Sequence, residues 1–243
     1  MKKYHVYTYA THSQGMYEQL ISNGFCDVRV VGFGSKWTGL MDKFRGIRNA
    51  MDADGLPDDD IFVFLDGFDS RIQMSPRVAV TRYVQHFPNN PALISKNNLW
   101  PFINNHIFLG SANSGMYMGP VHKVRKMLDA CLLMKEEDND QRCLNRVMNE
   151  GTAGVEIVID HHKRVFRNLT HFERGPKCMP RNAVDAVFVS CPGEHSVSRW
   201  MRAVHEYFPY IKGQVMTVGL LVVLVIWLTR KRPNTESPKR PHD

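Results

Sequence analysis

One stretch constrains this chain more than any other: Ile61-Phe62-Val63-Phe64-Leu65-Asp66-Gly67-Phe68-Asp69. Five large apolar residues in succession leave a strand no side for water, so it must be covered on both faces. A strand of that kind belongs to a sheet with helices on both sides, and such sheets bind ligands beyond the carboxyl ends of their strands. Asp66 and Asp69 stand at that end. Two carboxylates crowded in a partly dry place repel each other. A divalent cation relieves the repulsion, and oxygen ligands suit Mg²⁺ or Mn²⁺. Spacing alone also allows a surface turn in which Asp66 serves as an N-cap or Asx-turn residue.

The flanking sequence supplies the rest of an α/β sheet. Strands are predicted at Lys3–Ala10, Asp27–Phe33, Ala92–Ser95 and Val155–Ile159, beside the strand at 61–65. Helices are predicted at 14–22 (closing on Asn23-Gly24), 41–51, 78–87, 121–134 and 140–149. Phe108–Met118 is a Gly/Ser-rich stretch around an apolar segment. Strands alternating with helices predict a parallel or mostly parallel sheet flanked by helices.

A chain of 243 residues is long enough for one such domain with a real core. The net charge is +7, and the tail Arg230–Asp243, with five Lys/Arg against two Asp/Glu, carries +3 of it. The remainder forms no basic stripe interleaved with aromatics, so nucleic acid is not an expected partner. The five cysteines (Cys26, Cys131, Cys143, Cys178, Cys191) include no CxxC pair. Neither a disulfide framework nor a zinc site is signalled, and reduced thiols in a cytosol-facing domain are expected.

The amino-terminal MKKYHVYTYATH has no apolar core of a secretory signal. Residues 213–229, GQVMTVGLLVVLVIWLT, carry no charge. As a helix they span roughly 25 Å, the short end of a bilayer crossing. Tyr207, Phe208 and Tyr210 precede this run, Trp227 sits near its far end, and Arg230-Lys231-Arg232 follows. The expected organisation is therefore a domain at 1–212, a single membrane-spanning helix at 213–229 and a basic polar tail at 230–243. The missing signal favours a cytosolic domain, whereas the basic tail favours the tail inside. These cues conflict, and sidedness stays open at this point.

Several short segments then fall into one order. They are Thr8-Tyr9-Ala10-Thr11, Gly32-Phe33-Gly34 with Trp37 and Gly39, Lys43 with Arg45, and Phe64-Leu65-Asp66-Gly67-Phe68-Asp69. Trp100-Pro101, Asn113-Ser114-Gly115, the run Glu136–Gln141, and Asp160-His161 with Arg164, Phe166 and Asn168 follow. Over about residues 4 to 195 the chain resembles the glycosyltransferase domain of the procollagen lysyl hydroxylases, related stand-alone forms of which occur in large DNA viruses. The resemblance implies a GT-A-type, Rossmann-like fold with UDP-glucose or UDP-galactose as donor and Mn²⁺ (or Mg²⁺) as cofactor.

The resemblance implies a site residue by residue. Asp66 and Asp69 are metal ligands. Phe68 stands where the family has an aromatic residue near the uracil ring, a plain core Phe being the alternative. Thr8 matches a position near base and ribose, or simply ends a strand. Lys43 matches a lysine beside the diphosphate, where a point charge stabilises developing charge; a solvated helix lysine is the alternative. Asp140 is the candidate for contacting the acceptor hydroxyl, as base or as positioning group. Trp100 matches a cleft tryptophan, or is core. Asn113 and Ser114 form the turn against the sugar.

There is one departure. The family takes a third metal ligand from a histidine in a His-Gly-Asn-Gly-like turn, but the matching stretch here is Ser190-Cys191-Pro192-Gly193. His195, two residues beyond Gly193, is the nearest candidate, an ordinary exposed histidine being the alternative. The leading expectation is a membrane-anchored, metal-dependent hexosyltransferase acting on a hydroxyl of a protein or glycan, hydroxylysine of a collagen-like chain among them. The chain shows no room for a separate hydroxylase domain. The alternative is a non-catalytic sugar-nucleotide-binding protein that keeps the fold. A carboxylate-metal phosphohydrolase would need more clustered ligands than the sequence offers.

Overall fold

A computed structural model describes residues 2–99, 101–134, 138–170, 173–175, 178–192, 208, 212–213 and 215–225. The chain divides into two compact units, Met1–Arg199 and Trp200–Asp243.

The first unit is built on a six-stranded sheet. Its strands are β1 (Tyr4–Tyr9), β2 (Arg29–Val31), β3 (Ile61–Asp66), β5 (Ala92–Lys96), β6 (Ala112–Pro120) and β7 (Ile157–Ile159), in the order β2-β1-β3-β6-β5-β7. All pair in parallel except β6, which runs antiparallel to both β3 and β5. The sheet is thus mixed and mostly parallel, as expected. The helices are α1 (Tyr17–Ile21), α2 (Asp42–Ala53), α3 (Pro76–His86), α4 (Pro101–His106), α5 (Val121–Leu133) and α6 (Asp140–Glu150).

β3 shows why its sequence is unbroken. Ile61 to Leu65 are all fully buried, and successive residues serve opposite faces. Phe62 and Phe64 join Phe44, Ile47 and Met51 of α2, Val124 and Leu128 of α5 and Leu144 of α6 in one core. Ile61, Val63 and Leu65 join Leu20, Ala79, Val80, Tyr83 and Phe188 in the other. Tyr117 of β6 stacks on Phe64 with ring centroids 4.7 Å apart. The cores lock β3 in register, so its carboxyl end is a fixed platform.

A second sheet, of order β4-β9-β8, was not expected from the sequence. Its strands β4 (Ser70–Ile72), β8 (Phe166–Asn168) and β9 (Phe188–Ser190) are three residues each. At that length neither alternation nor propensity carries a signal, and only tertiary pairing makes them strands. Asn168 of the sequon Asn168-Leu169-Thr170 is buried in β8 and donates to Lys96 O at 2.8 Å, so the folded domain does not present it for glycosylation.

The cysteine expectation is corrected. Cys178 and Cys191 form a disulfide across 13 residues of sequence, while Cys26, Cys131 and Cys143 are free. No spacing rule marks the pair, because the end of β9 and the segment around Cys178 meet only through the small sheet. A closed loop of this length stabilises a domain by about 3 kcal/mol in the chain-entropy treatment. Cys191→Ser, or reductant added to the wild type, is expected to lower urea-denaturation stability by that order. Equal stability with and without reductant would contradict the bridge.

In the second unit, residues 212–213 and 215–225 are helical, and apolar side chains such as Leu220 and Val223 lie exposed. Among the described residues no helix is long and apolar enough to cross a membrane. Residues 214 and 226–229 of the span expected at 213–229 lie outside the described set.

Candidate active site

The carboxyl ends of β1 and β3 and the amino terminus of α6 meet at one place. Asp66 ends β3, and its Oδ1 accepts the N–H of Phe68 at 3.1 Å, an Asx turn. Its Oδ2 lies 3.7 Å from Lys43 Nζ. The turn and ligand readings of Asp66 are therefore compatible: one oxygen shapes the loop and the other faces the site. Gly67 allows the loop to lie against β1, since a Cβ there would stand 2.8 Å from Tyr9 O. On its other side, Phe68 O accepts Met16 N at 2.8 Å and leaves no room for a Cβ at Gly15, which holds φ +61°.

Lys43 reaches this point from α2 and is buried. Its ammonium is ion-paired with Asp140 Oδ2 and lies 3.3 Å from Ser114 Oγ. Ser114 in turn donates to Asp140 Oδ2 at 2.8 Å. Burial alone would depress the lysine pKa. Asp140 foremost, then Asp66 and Asp69, reverse this and hold it well above the usual lysine value. The amine is a permanent cation.

Asp69 is the strained member. Burial above all, then the charge of Asp66, pushes its pKa up to about 8, although a Ser190 hydrogen bond, Lys43 and Arg174 pull the other way. One resident lysine thus offsets the carboxylate cluster only in part. A divalent cation would supply the missing positive charge, and the donors present are hard oxygens suited to Mg²⁺ or Mn²⁺. Among the described residues no group of three His, Cys, Asp or Glu side chains is placed to hold a metal. Asp66 and Asp69 fit two positions of a site whose other ligands are phosphate oxygens and water, the usual pattern for Mg²⁺.

The remaining candidates sort as follows. Asn113 Nδ2 donates to Gln141 Oε1 at 3.3 Å, and Asn113 Oδ1 accepts Gly115 N at 2.9 Å. Asn113 and Ser114 thereby lean on the first turn of α6, which Asn139 caps by accepting Gln141 N and Arg142 N. Asp140 is buried and engaged by Lys43 and Ser114. Thr8 is fully buried under the Gly67 loop, and its Oγ1 has no hydrogen-bond partner among the described residues. Phe68 is partly exposed with its ring 5.3 Å from that of His12, so it is not a core residue. Trp100 and His195 lie outside the described residues.

Sequence reasoning missed two supports. Ser190 donates to Asp69 Oδ1 at 3.0 Å. Asn145 brackets Ala112, its Oδ1 accepting Ala112 N at 2.9 Å and its Nδ2 donating to Ala112 O at 3.0 Å, which fixes the start of β6. A polar residue on the inner face of the amphipathic helix 140–149 was the available signal for Asn145. Asp160 is a structural group: its carboxylate accepts Arg164 N, Val165 N and Phe166 N.

Over residues 1–182 the sequence matches the family model of the PLOD GT domain. No curated protein matches it. Among solved structures it is similar to the crystal structure of a glycosyltransferase involved in the glycosylation of the major capsid of PBCV-1, with a TM-score of 0.53 at 11% identity, covering 84% of this chain and 98% of that one. At that identity the likeness establishes the fold, a mixed α/β domain of GT-A type.

Proposed function

Because the chain belongs to the PLOD glycosyltransferase-domain family, we propose that it transfers a hexose from UDP-glucose or UDP-galactose to a hydroxyl of a protein or glycan, in a reaction that needs Mn²⁺ or Mg²⁺. The observation that carries this reading is the convergence of Asp66, Asp69, Lys43, Ser114 and Asp140 at the carboxyl ends of the strands. When bound, the cation neutralises the diphosphate and makes UDP a competent leaving group. Asp66 and Asp69 would hold it. Lys43, a fixed cation beside them, stabilises charge that develops on the departing phosphate. Asn113 and Ser114 orient the sugar, and Phe68 offers a flat apolar face to the base. Asp140 supports a positioning role, because Lys43 and Ser114 already engage its carboxylate. Hydroxylysine in a collagen-like chain is one acceptor that fits the family.

We also propose that residues 213–229 anchor the protein in a membrane. Of the two orientations, the disulfide favours a domain in an oxidising compartment. The basic tail then lies on the cytosolic side, as the Lys/Arg bias prefers.

The reading is tested by incubating the full chain with UDP-glucose or UDP-galactose and Mn²⁺ and measuring UDP release with and without a hydroxyl acceptor. Release that needs both metal and sugar donor supports it. One observation favours a second reading, a non-catalytic binder: among the described residues no group of three His, Cys, Asp or Glu side chains is placed to hold a metal. Thermal stabilisation by the UDP-sugar with no release would decide for that.

A further inference from the structure

Ser190 is almost fully buried at the end of β9, and its hydroxyl donates to Asp69 Oδ1 at 3.0 Å. The backbone that carries this hydroxyl is held on both sides. Ser190 pairs in register with Ser70, the residue after Asp69. Its carbonyl accepts Leu169 N at 2.8 Å, and the next N–H, of Cys191, donates to Asp69 O at 2.8 Å. Cys191 is itself tied to Cys178. The strand end thus grips Asp69 at its main chain and at one carboxylate oxygen. A carboxylate offers about four lone-pair sites on two oxygens, so this bond sets the rotamer and leaves capacity for a cation.

We propose that Ser190 is the positioning residue of the cation seat, holding the Asp69 carboxylate in the rotamer that binds the divalent ion and so setting its affinity. The inference rests on the reading of Asp66 and Asp69 as cation ligands. Hydrogen-bond partners behind a metal ligand are typically worth about 10- to 100-fold in metal affinity. Ser190→Ala removes one oxygen from a packed site and adds no bulk, whereas Ser190→Thr keeps the hydroxyl.

The test is calorimetric titration of Mn²⁺ alone into the full chain for the wild type, Ser190→Ala, Ser190→Thr and Asp69→Asn, with thermal melts of each in EDTA. The expected result is Mn²⁺ binding that Asp69→Asn abolishes, Ser190→Ala weakens by about 10- to 100-fold, and Ser190→Thr largely restores. In turnover, Ser190→Ala raises the Mn²⁺ concentration for half-maximal rate and leaves the rate at saturating Mn²⁺ close to wild type. Wild-type affinity in Ser190→Ala overturns the positioning role, and so does an equal loss in Ser190→Thr, which would assign the effect to packing. If the wild type and Asp69→Asn bind Mn²⁺ alike, the cation-ligand reading itself fails, an outcome distinct from both.

Discussion

Asp69→Asn is expected to raise the melting temperature of the metal-free protein at pH 8 while cutting sugar transfer by about 10²- to 10³-fold, the scale on which one preorganised electrostatic group is lost. The two effects have opposite signs because the carboxylate destabilises the fold that uses it. Its pKa is pushed up to about 8 by burial and by Asp66. In the unfolded chain an aspartate titrates near about 3.9. Between those values the folded state keeps a proton that the unfolded state has lost, so stability is greatest below the lower value and falls as pH rises towards the upper one. Asparagine has no proton to lose, so the variant should be flat across that window. The two proteins therefore melt alike only near or below about pH 4 and diverge progressively up to about pH 8. A divalent cation, binding the folded wild type alone, offsets the penalty by mass action. Thermal melts in EDTA and in Mn²⁺ across this range check it. A wild type whose EDTA melting point stays level from pH 5 to 8.5 would contradict the assignment.

What the sequence discloses of this site follows from how far each signal reaches. The five-residue apolar run specified β3, its coverage on both faces and the position of Asp66, because burial writes itself directly into side-chain type. α2 and α5 were legible through their periodic apolar faces. β6 was not: Ala112–Pro120 reads ANSGMYMGP, and its Asn, Ser and Gly suit the Asn113 turn and a shift of register between Ile94 and Ser95 better than they suit a strand. The small sheet was illegible, since nothing local in Phe188–Ser190 says that it will lie beside Ser70–Ile72. The same blindness hid the disulfide and the Ser190 hydroxyl. Both arise from pairings between residues more than a hundred positions apart or from a loop closed by such a pairing. Family likeness drew attention to position 190 for the ligand it lacks, and only the fold shows the bond that it makes.

Lys43→Met is expected to have the larger effect on stability, a loss of about 3–5 kcal/mol, the cost of leaving buried carboxylates without their partner. Methionine matches the length of the lysine stem, so packing against the core is largely kept and the charge is what disappears. Asp140, buried and ion-paired to Lys43, then has only Ser114 to bond its Oδ2, and Asp66 loses a cation at 3.7 Å. The lysine pKa is held well above its usual value, so its contribution is fully present below about pH 10 and is lost only above that. Between pH 5 and 9 Lys43 itself stays charged, so any pH dependence of the Lys43→Met loss comes from the carboxylates that it leaves unpaired, and urea titrations across this range follow it. Pairing the change with Asp140→Asn separates structure from chemistry. The double variant removes one stranded charge and should recover part of the lost stability, a coupling of the size seen for groups in one network. It should not recover transfer, because the fixed ammonium that stabilises developing charge is still missing. Additive losses in the double variant would place Lys43 and Asp140 in separate roles, and full activity in Lys43→Met would remove the lysine from the reaction altogether.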